Sequence, residues 1–168
     1  MKNITAKNLY IAGLLGTVLL TAGPALAQTY AKEGNFDYVS CLSGTTRRMT
    51  FSNTQTAQTS EYSGTNRSAT PLSPFDKTTF RCIAFNATLN GKSSGNSWCE
   101  TADRDGDKYV TYFNQLADGT STREAVAGTG KFDGLSTKGI STPLGPFPNV
   151  DPGTIQNCVR QMGTYKMK

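Results

Sequence analysis

Hydrophobic and polar residues alternate in short segments along most of the chain. In the segment 78–89, Phe80 and Cys82 fall on one face and Ile83 and Phe85 on the other. This period of two residues, with many β-branched and aromatic side chains, predicts β-strands, and no helical spacing of apolar residues competes with it. We therefore expect an all-β fold. The predicted strands are 35–43, 47–54, 57–64, 78–89, 94–103, 107–116, 121–127, 136–142 and 156–166.

Two stretches interrupt this rhythm. The first, 64–77, contains Pro71 and Pro74, and the second, 143–153, contains four prolines. Proline has no backbone N–H to donate to a neighbouring strand, so both stretches are predicted to be loops.

The middle of the chain predicts two consecutive hairpins, which turn at Asn90-Gly91 and Asp105-Gly106. Both dipeptides favour a two-residue type I′ turn, in which both residues adopt positive φ. With such a turn at Asn90-Gly91, Cys82 falls opposite Cys99 on a pair without hydrogen bonds. The α-carbons of such a pair approach to about 4.5 Å, which a disulfide tolerates.

The remaining two cysteines would then pair with each other and join the first strand to the last. That bond fits a closed barrel, in which these strands are neighbours. A metal or redox site is the alternative, but no CxxC spacing occurs and the chain has no histidine. We therefore predict two structural disulfides among Cys41, Cys82, Cys99 and Cys158.

The N-terminal residues have the order of features of a secretory signal peptide. Lys2 and Lys7 precede an apolar run over 9–22, and the small-x-small tripeptide Ala25-Leu26-Ala27 follows. We expect cleavage after residue 27, which leaves 28–168 as a single soluble β-barrel domain, periplasmic or secreted. Loss of the two lysines would lower the formal net charge from +5 to +3.

This mild charge and the absence of histidine remove several function classes. Arg47 and Arg48 are adjacent but belong to no basic stripe, so we expect no nucleic-acid partner. Without histidine there is no Ser-His-Asp or Cys-His pair and no histidine-ligated metal. The sequence identifies no catalytic residue, no metal ligand and no cofactor.

Two motifs resemble known ligand loops but fail on spacing. The segment 103–107 has Gly106 at position 4, whereas a calcium-binding EF-hand loop needs glycine at position 6. The segment 128–131 resembles a phosphate-binding loop, but Phe132 stands where serine or threonine would bind magnesium. We interpret the first as a tight turn and the second as a bend between strands.

The segment from Gly128 to Gly134, after the Asp-rich turn, is similar to the corner motif of the allene oxide cyclase and dirigent barrel superfamily. Its characteristic positions here are Gly128, Gly130, Phe132 and Gly134. The mature chain also resembles small exported bacterial proteins of unknown function. The resemblance implies a closed antiparallel barrel of about eight strands with an apolar interior, and it carries over no catalytic residue. A β-sandwich is the alternative fold.

Three functional hypotheses remain open. In the first, the barrel binds a small apolar ligand. In the second, the barrel is filled and acts through its surface, as an interaction module or an inhibitor in the cell envelope or outside the cell. In the second case Tyr62, Arg67 and the proline loops are candidate contacts. A cyclase-like enzyme is the third. Both faces of the strands are partly apolar, so a homo-oligomer is a further hypothesis.

Overall fold

The computed structural model describes residues 30–145 and 147–168, and the predicted signal peptide lies outside these residues. Within them, no helix is both long and apolar enough to cross a lipid bilayer. A single turn of 3₁₀ helix occupies Gly130–Phe132. The strands are β1 (Glu33–Ser52), β2 (Gln55–Ser68), β3 (Thr78–Leu89), β4 (Lys92–Ala102), β5 (Lys108–Gln115), β6 (Ser121–Gly128), β7 (Ser136–Pro143) and β8 (Thr154–Lys166).

The eight strands form a closed antiparallel barrel in chain order. Each strand pairs with its neighbours in sequence, and β8 returns to pair with β1. The prediction of an all-β closed barrel is confirmed, and the sandwich alternative is not found. Closure leaves no unpaired sheet edge, because every strand has two neighbours.

The predicted strands 35–43 and 47–54 are in fact one strand, β1. Gly44 does not end it, since this residue stays paired with Tyr62 on β2 and Ile155 on β8. A Cβ at Gly44 would lie 2.1 Å from the Glu61 carbonyl oxygen. The glycine therefore serves a close approach of two strands, and the break predicted between residues 43 and 47 was wrong.

Both predicted loops begin later in the chain than expected. β2 continues to Ser68, so the first loop begins there and not at residue 64. Pro143 is the last residue of β7, a position that proline tolerates because it ends the strand.

The Asn90-Gly91 turn is confirmed. Both residues have positive φ, 52° and 75°, and the flanking Leu89 and Lys92 are paired. Cys82 consequently lies opposite Cys99, and the two form a disulfide with α-carbons 4.1 Å apart.

The turn at Asp105-Gly106 was predicted wrongly, because it is not a two-residue loop. Strands β4 and β5 are joined by five residues, and only Gly106 among them has positive φ. The Asp103 carboxylate causes this by accepting hydrogen bonds from the backbone N–H groups of Asp105 and Asp107. A two-residue loop would have paired Trp98 with Phe113, whereas in the five-residue loop Trp98 pairs with Tyr112.

The second disulfide, Cys41–Cys158, bridges β1 and β8 on the outer wall. The two residues are directly paired across these strands, and Cys41 is exposed. The predicted pairing of the first strand with the last is confirmed.

The hydrophobic core lies at one end of the barrel, where the start of β1, the end of β8 and the β2–β3, β4–β5 and β6–β7 connections meet. Phe75 enters this end from the β2–β3 loop and is fully buried. Its ring packs edge-on against Tyr109 and Tyr165, with centroids 5.9 and 5.3 Å apart. We call this the closed end. Its core consists of Phe36, Tyr38, Phe75, Tyr109, Phe132, Leu135, Tyr165 and Met167.

The corner motif forms part of the closed end. Gly128 ends β6, and a Cβ there would lie 1.9 Å from the Phe132 carbonyl oxygen, so the following turn folds tightly against the strand. Gly130 and Gly134 have positive φ, which glycine adopts without strain. The turn delivers the Phe132 ring, fully buried, to a site 4.8 Å from the Tyr109 ring.

Candidate functional site

A cavity of about 420 Å³ occupies the barrel between the closed end and the opposite end. At that opposite end, which we call the mouth, the lining reaches exposed residues such as Arg48 and Pro143. The connections β1–β2, β3–β4, β5–β6 and β7–β8 lie around it. The volume falls within the usual range for small-molecule sites, about 300 to 1,000 Å³.

The middle of the cavity has an apolar wall formed around the inner disulfide. Cys82 and Cys99 face inward and are buried with Phe80, and Leu42, Tyr62 and Phe113 pack against them. The same residues line the cavity. Tyr62, which the sequence suggested as a surface contact, therefore lies inside the barrel, and burial raises the pKa of its hydroxyl. Arg67 is exposed.

A chain of buried hydrogen bonds links the cavity to the closed end. The Ser40 hydroxyl donates to Asn66 Oδ1 at 2.6 Å, and Asn66 Nδ2 donates to Thr78 Oγ1 at 2.8 Å. Thr78 Oγ1 donates in turn to the Phe75 carbonyl oxygen at 3.1 Å. These bonds hold the β2–β3 loop, and with it the Phe75 ring, over the closed end.

Arg123 on β6 points into the barrel at the junction of cavity and core, where it is only 3% exposed. Its guanidinium carbon lies 4.5 Å from the Phe36 ring centroid and 5.9 Å from that of Phe113. Gly139 and Gly163 make room for Phe36, since a Cβ on either would lie 2.7 Å from its ring. Nε and Nη1 of Arg123 are buried without a hydrogen-bond partner.

Other buried polar groups of the barrel interior are also unsatisfied. Gln161 donates from Nε2 to Ser141 Oγ at 3.1 Å, but its buried Oε1 accepts nothing. The Tyr109 hydroxyl is buried and makes no hydrogen bond. Burial raises the pKa of Tyr109 and, despite the nearby Arg123 charge, that of Tyr38. Buried polar groups without partners are uncommon in folded proteins, so this cluster needs an explanation.

The mouth carries a second set of polar side chains. Arg48 donates from Nε and Nη2 to Gln58 Oε1 at 3.2 and 2.9 Å. Asn86 donates from Nδ2 to Gln115 Oε1 at 2.7 Å, across β4. A Cβ at Gly95 would lie 2.2 Å from Asn86 Nδ2, so glycine on β4 is what lets this bond pass.

The Asp-rich loop holds an internal cation. The Lys131 ammonium forms ion pairs with Asp103 and with Asp105, the latter at 2.8 Å, and Asp107 Oδ2 accepts from the Lys131 backbone N–H at 3.1 Å. Burial acts to lower the pKa of Lys131, but its hydrogen bonds to the two carboxylates raise it. The cluster ties the β4–β5 loop to the corner motif. Among the described residues, no group of three or more potential ligands is placed to hold a metal ion.

The outer wall carries an apolar patch on β3, β4 and β5. Ile83 pairs with Trp98, and Trp98 pairs with Tyr112, so the three side chains form a row across the strands. Ile83 is 61% exposed and Trp98 46%, and the neighbouring Phe85 is exposed as well. We call Ile83, Phe85, Trp98 and Tyr112 the outer patch.

The residues selected from the sequence are thus divided between structural positions. Cys82 and Cys99 lie in the cavity wall, the Asn90-Gly91 turn lies at the mouth, and the corner motif lies at the closed end. Arg123 and Gln161 were not selected. The available signal was that Arg123, a charged residue, lies on the same face of an alternating strand as Ser121. Alternation alone does not say which face is inside the barrel.

Comparison of the chain with protein-family models, curated proteins and solved structures finds no match. The resemblance to the allene oxide cyclase and dirigent superfamily stays a prediction.

Proposed function

We propose that the chain is an exported binding protein whose barrel holds one small molecule. The observation that carries this proposal is the cavity of about 420 Å³, which a filled barrel would lack. The two disulfides agree with an oxidising compartment outside the cytoplasm.

The composition of the wall favours a ligand with both apolar and hydrogen-bonding parts. Phe80 and the inner disulfide offer apolar contact, whereas Ser40, Asn66 and Gln161 offer hydrogen bonds. Ser40 and Asn66 already have partners within the protein, but Gln161 Oε1 does not, so a ligand that is apolar throughout would leave this buried oxygen unpaired, which costs free energy. We therefore extend the expectation of an apolar ligand to an amphiphilic one.

The fluorescent probe phenylnaphthylamine, which is neutral and apolar, tests whether the interior binds at all. Ala84 lines the cavity, so Ala84→Phe should fill part of it and weaken binding of the probe at least about tenfold. Ile83→Phe, on the adjacent outward position, is the matched control and should bind as the native chain does. Probe binding that both variants leave unchanged would place the probe outside the barrel and contradict the proposal.

The outer patch favours a second candidate function, a role in protein association. Exposed aromatic and aliphatic side chains in one row are typical of interaction surfaces. A second copy of the chain is the partner that we propose. In a homo-oligomer, the exposed outward faces of these strands would be buried. Light scattering of the purified protein would report the oligomer, and Trp98→Ser should reduce it to a monomer. A native chain that is monomeric at high concentration would contradict this candidate.

A further inference from the structure

Arg123 is a cation enclosed by the barrel without a counter-charge. Its side chain is 97% buried, and Nε and Nη1 donate no hydrogen bond. No ion pair involves Arg123 among residues 30–145 and 147–168. A buried guanidinium normally has a carboxylate or phosphate partner, because removing its charge from water is costly.

The aromatic rings around Arg123 compensate for only part of this cost. Phe36, Tyr38, Phe75 and Phe113 all lie within 5.9 Å of the guanidinium carbon. A ring face attracts the positive charge but accepts no conventional hydrogen bond from the N–H groups. The Nε and Nη1 donors of Arg123 therefore remain unpaired, and their planar arrangement fits two oxygens of one anionic group.

The cavity extends to the residues that surround Arg123. Its lining includes Tyr38 and Phe113, whose rings contact the guanidinium, and Ser121, two residues before Arg123 on the same face. Directly opposite Arg123 on β7 is Gly139, and the Phe36 ring fills the space beside this glycine. Arg123 itself is not a lining residue, so a ligand that reaches the floor of the cavity comes against the Tyr38 and Phe113 rings, whose centroids lie 5.6 and 5.9 Å from the guanidinium carbon.

The charge of the interior has one sign. The described residues that line the cavity include Arg48 at the mouth but no aspartate or glutamate. Gln161 also lines the cavity, and its unsatisfied Oε1 can accept a hydrogen bond from a hydroxyl or N–H group of the same ligand. Such an interior attracts an anion and offers no carboxylate to a cation.

From these observations we infer that the cavity binds an amphiphilic organic monoanion, whose carboxylate or sulfonate pairs with Arg123 while its apolar part lies against Phe80 and the Cys82–Cys99 disulfide. The inference rests on the proposed function, because it specifies the molecule held in the same cavity. A purely structural role of Arg123, satisfied by the aromatic rings alone, is the competing explanation.

Two pairs of probes that differ in charge separate these explanations. Anilinonaphthalenesulfonate carries a sulfonate that phenylnaphthylamine lacks, and decanoate carries a carboxylate where decanol has a hydroxyl. The native protein should bind each anionic probe at least about tenfold more tightly than its neutral counterpart, as expected for a charge-assisted hydrogen-bonded pair. Arg123→Met should abolish this preference and leave binding of the neutral probes unchanged. Arg67→Met, which removes an exposed arginine, is the matched control and should keep the preference.

The outcomes distinguish failure of the inference from failure of the proposed function. If neutral and anionic probes bind equally to the native protein, or if Arg123→Met keeps the preference, the inference is wrong and the binding barrel stands. If no probe of either kind binds, the proposed function fails too. Should Arg123→Met not fold, the Arg123 Nε–H signal in an NMR titration of the native protein with decanoate decides. A shift that saturates supports the pair, and an unmoved signal overturns it.

Discussion

The guanidinium carbon of Arg123 lies 4.5 Å from the centroid of the Phe36 ring, inside a barrel that offers this arginine no carboxylate. Phe36 is on the first strand and Arg123 on the sixth, so the contact exists only because the sheet closes. Attraction between a desolvated arginine and an aromatic ring is worth about 2 kcal/mol. Desolvation of an unpaired charge costs several kcal/mol, so the residue reduces the stability of the ligand-free protein.

We therefore predict that Arg123→Met stabilises the ligand-free protein. Methionine fills a similar volume with apolar atoms, and the free energy of unfolding should rise by about 1 kcal/mol or more. Denaturation in urea near neutral pH measures this change. Arg67→Met, on the exposed surface, should alter the free energy by less than about 0.5 kcal/mol. A loss of stability in Arg123→Met would mean that the ring contacts outweigh the desolvation cost.

The two disulfides should differ in accessibility. Cys41 is exposed on the outer wall, whereas Cys82 and Cys99 are 1% and 6% exposed. Mild reduction of the folded protein with dithiothreitol, followed by alkylation and peptide mapping, should label Cys41 and Cys158 first. This bond closes a loop of 117 residues, so its loss should lower the free energy of unfolding by about 5 kcal/mol in the chain-entropy model. Earlier labelling of Cys82 and Cys99 would show that the cavity admits the reductant.

Tyr109 should make the protein sensitive to alkaline pH. Burial raises the pKa of its hydroxyl, so the folded chain keeps a proton that the unfolded chain releases above about pH 10. Stability is complete below that pH and falls above it, by about 1.4 kcal/mol per pH unit. No hydrogen bond of normal geometry holds this hydroxyl, although the Thr101 and Tyr38 side chains affect its pKa, so Tyr109→Phe should change stability little near neutral pH and reduce the alkaline loss. Thermal denaturation at a series of pH values measures both effects.

The matched control for Tyr109→Phe is Tyr112→Phe, which removes a hydroxyl from the outer wall. Its alkaline loss of stability should equal that of the native chain. An unchanged pH profile in Tyr109→Phe would contradict the prediction.

Two glycines with positive φ should respond differently to alanine. Gly119 has open space where a Cβ would be. Gly119→Ala should therefore lower the free energy of unfolding only by the strain of the backbone conformation, about 1 kcal/mol. At Gly130 the added Cβ would lie 1.8 Å from Asp107 Oδ1. The same carboxylate is held in place because its other oxygen, Oδ2, accepts a hydrogen bond from the Lys131 backbone N–H. Gly130→Ala should therefore lower the free energy of unfolding by about 3 kcal/mol. Equal losses, measured by denaturation in urea, would show that the corner rearranges freely.

Local sequence signals were reliable where a turn depends on its own residues. Asn90 and Gly91 both tolerate positive φ, and this alone placed Cys82 opposite Cys99. The same reasoning failed at Asp105-Gly106, because the Asp103 side chain competes for the backbone N–H groups and lengthens the loop. The strand break predicted over residues 44–46 was also wrong, because Gly44 allows β1 to approach β2 closely and does not end the strand.

The sequence by itself determined most of the strands and, through the Asn90-Gly91 turn, the pairing of Cys82 with Cys99, since alternation and turn chemistry act over a few residues. Closure into a barrel was expected from the resemblance and from a disulfide between the first strand and the last. Only the tertiary structure decided what the barrel encloses. Phe75 comes from a loop and Arg123 from a strand whose two faces are not distinguished by sequence, and they meet because eight strands curve around a common interior. Packing between residues far apart in the chain therefore created the cavity, its closed end and the unpaired arginine between them.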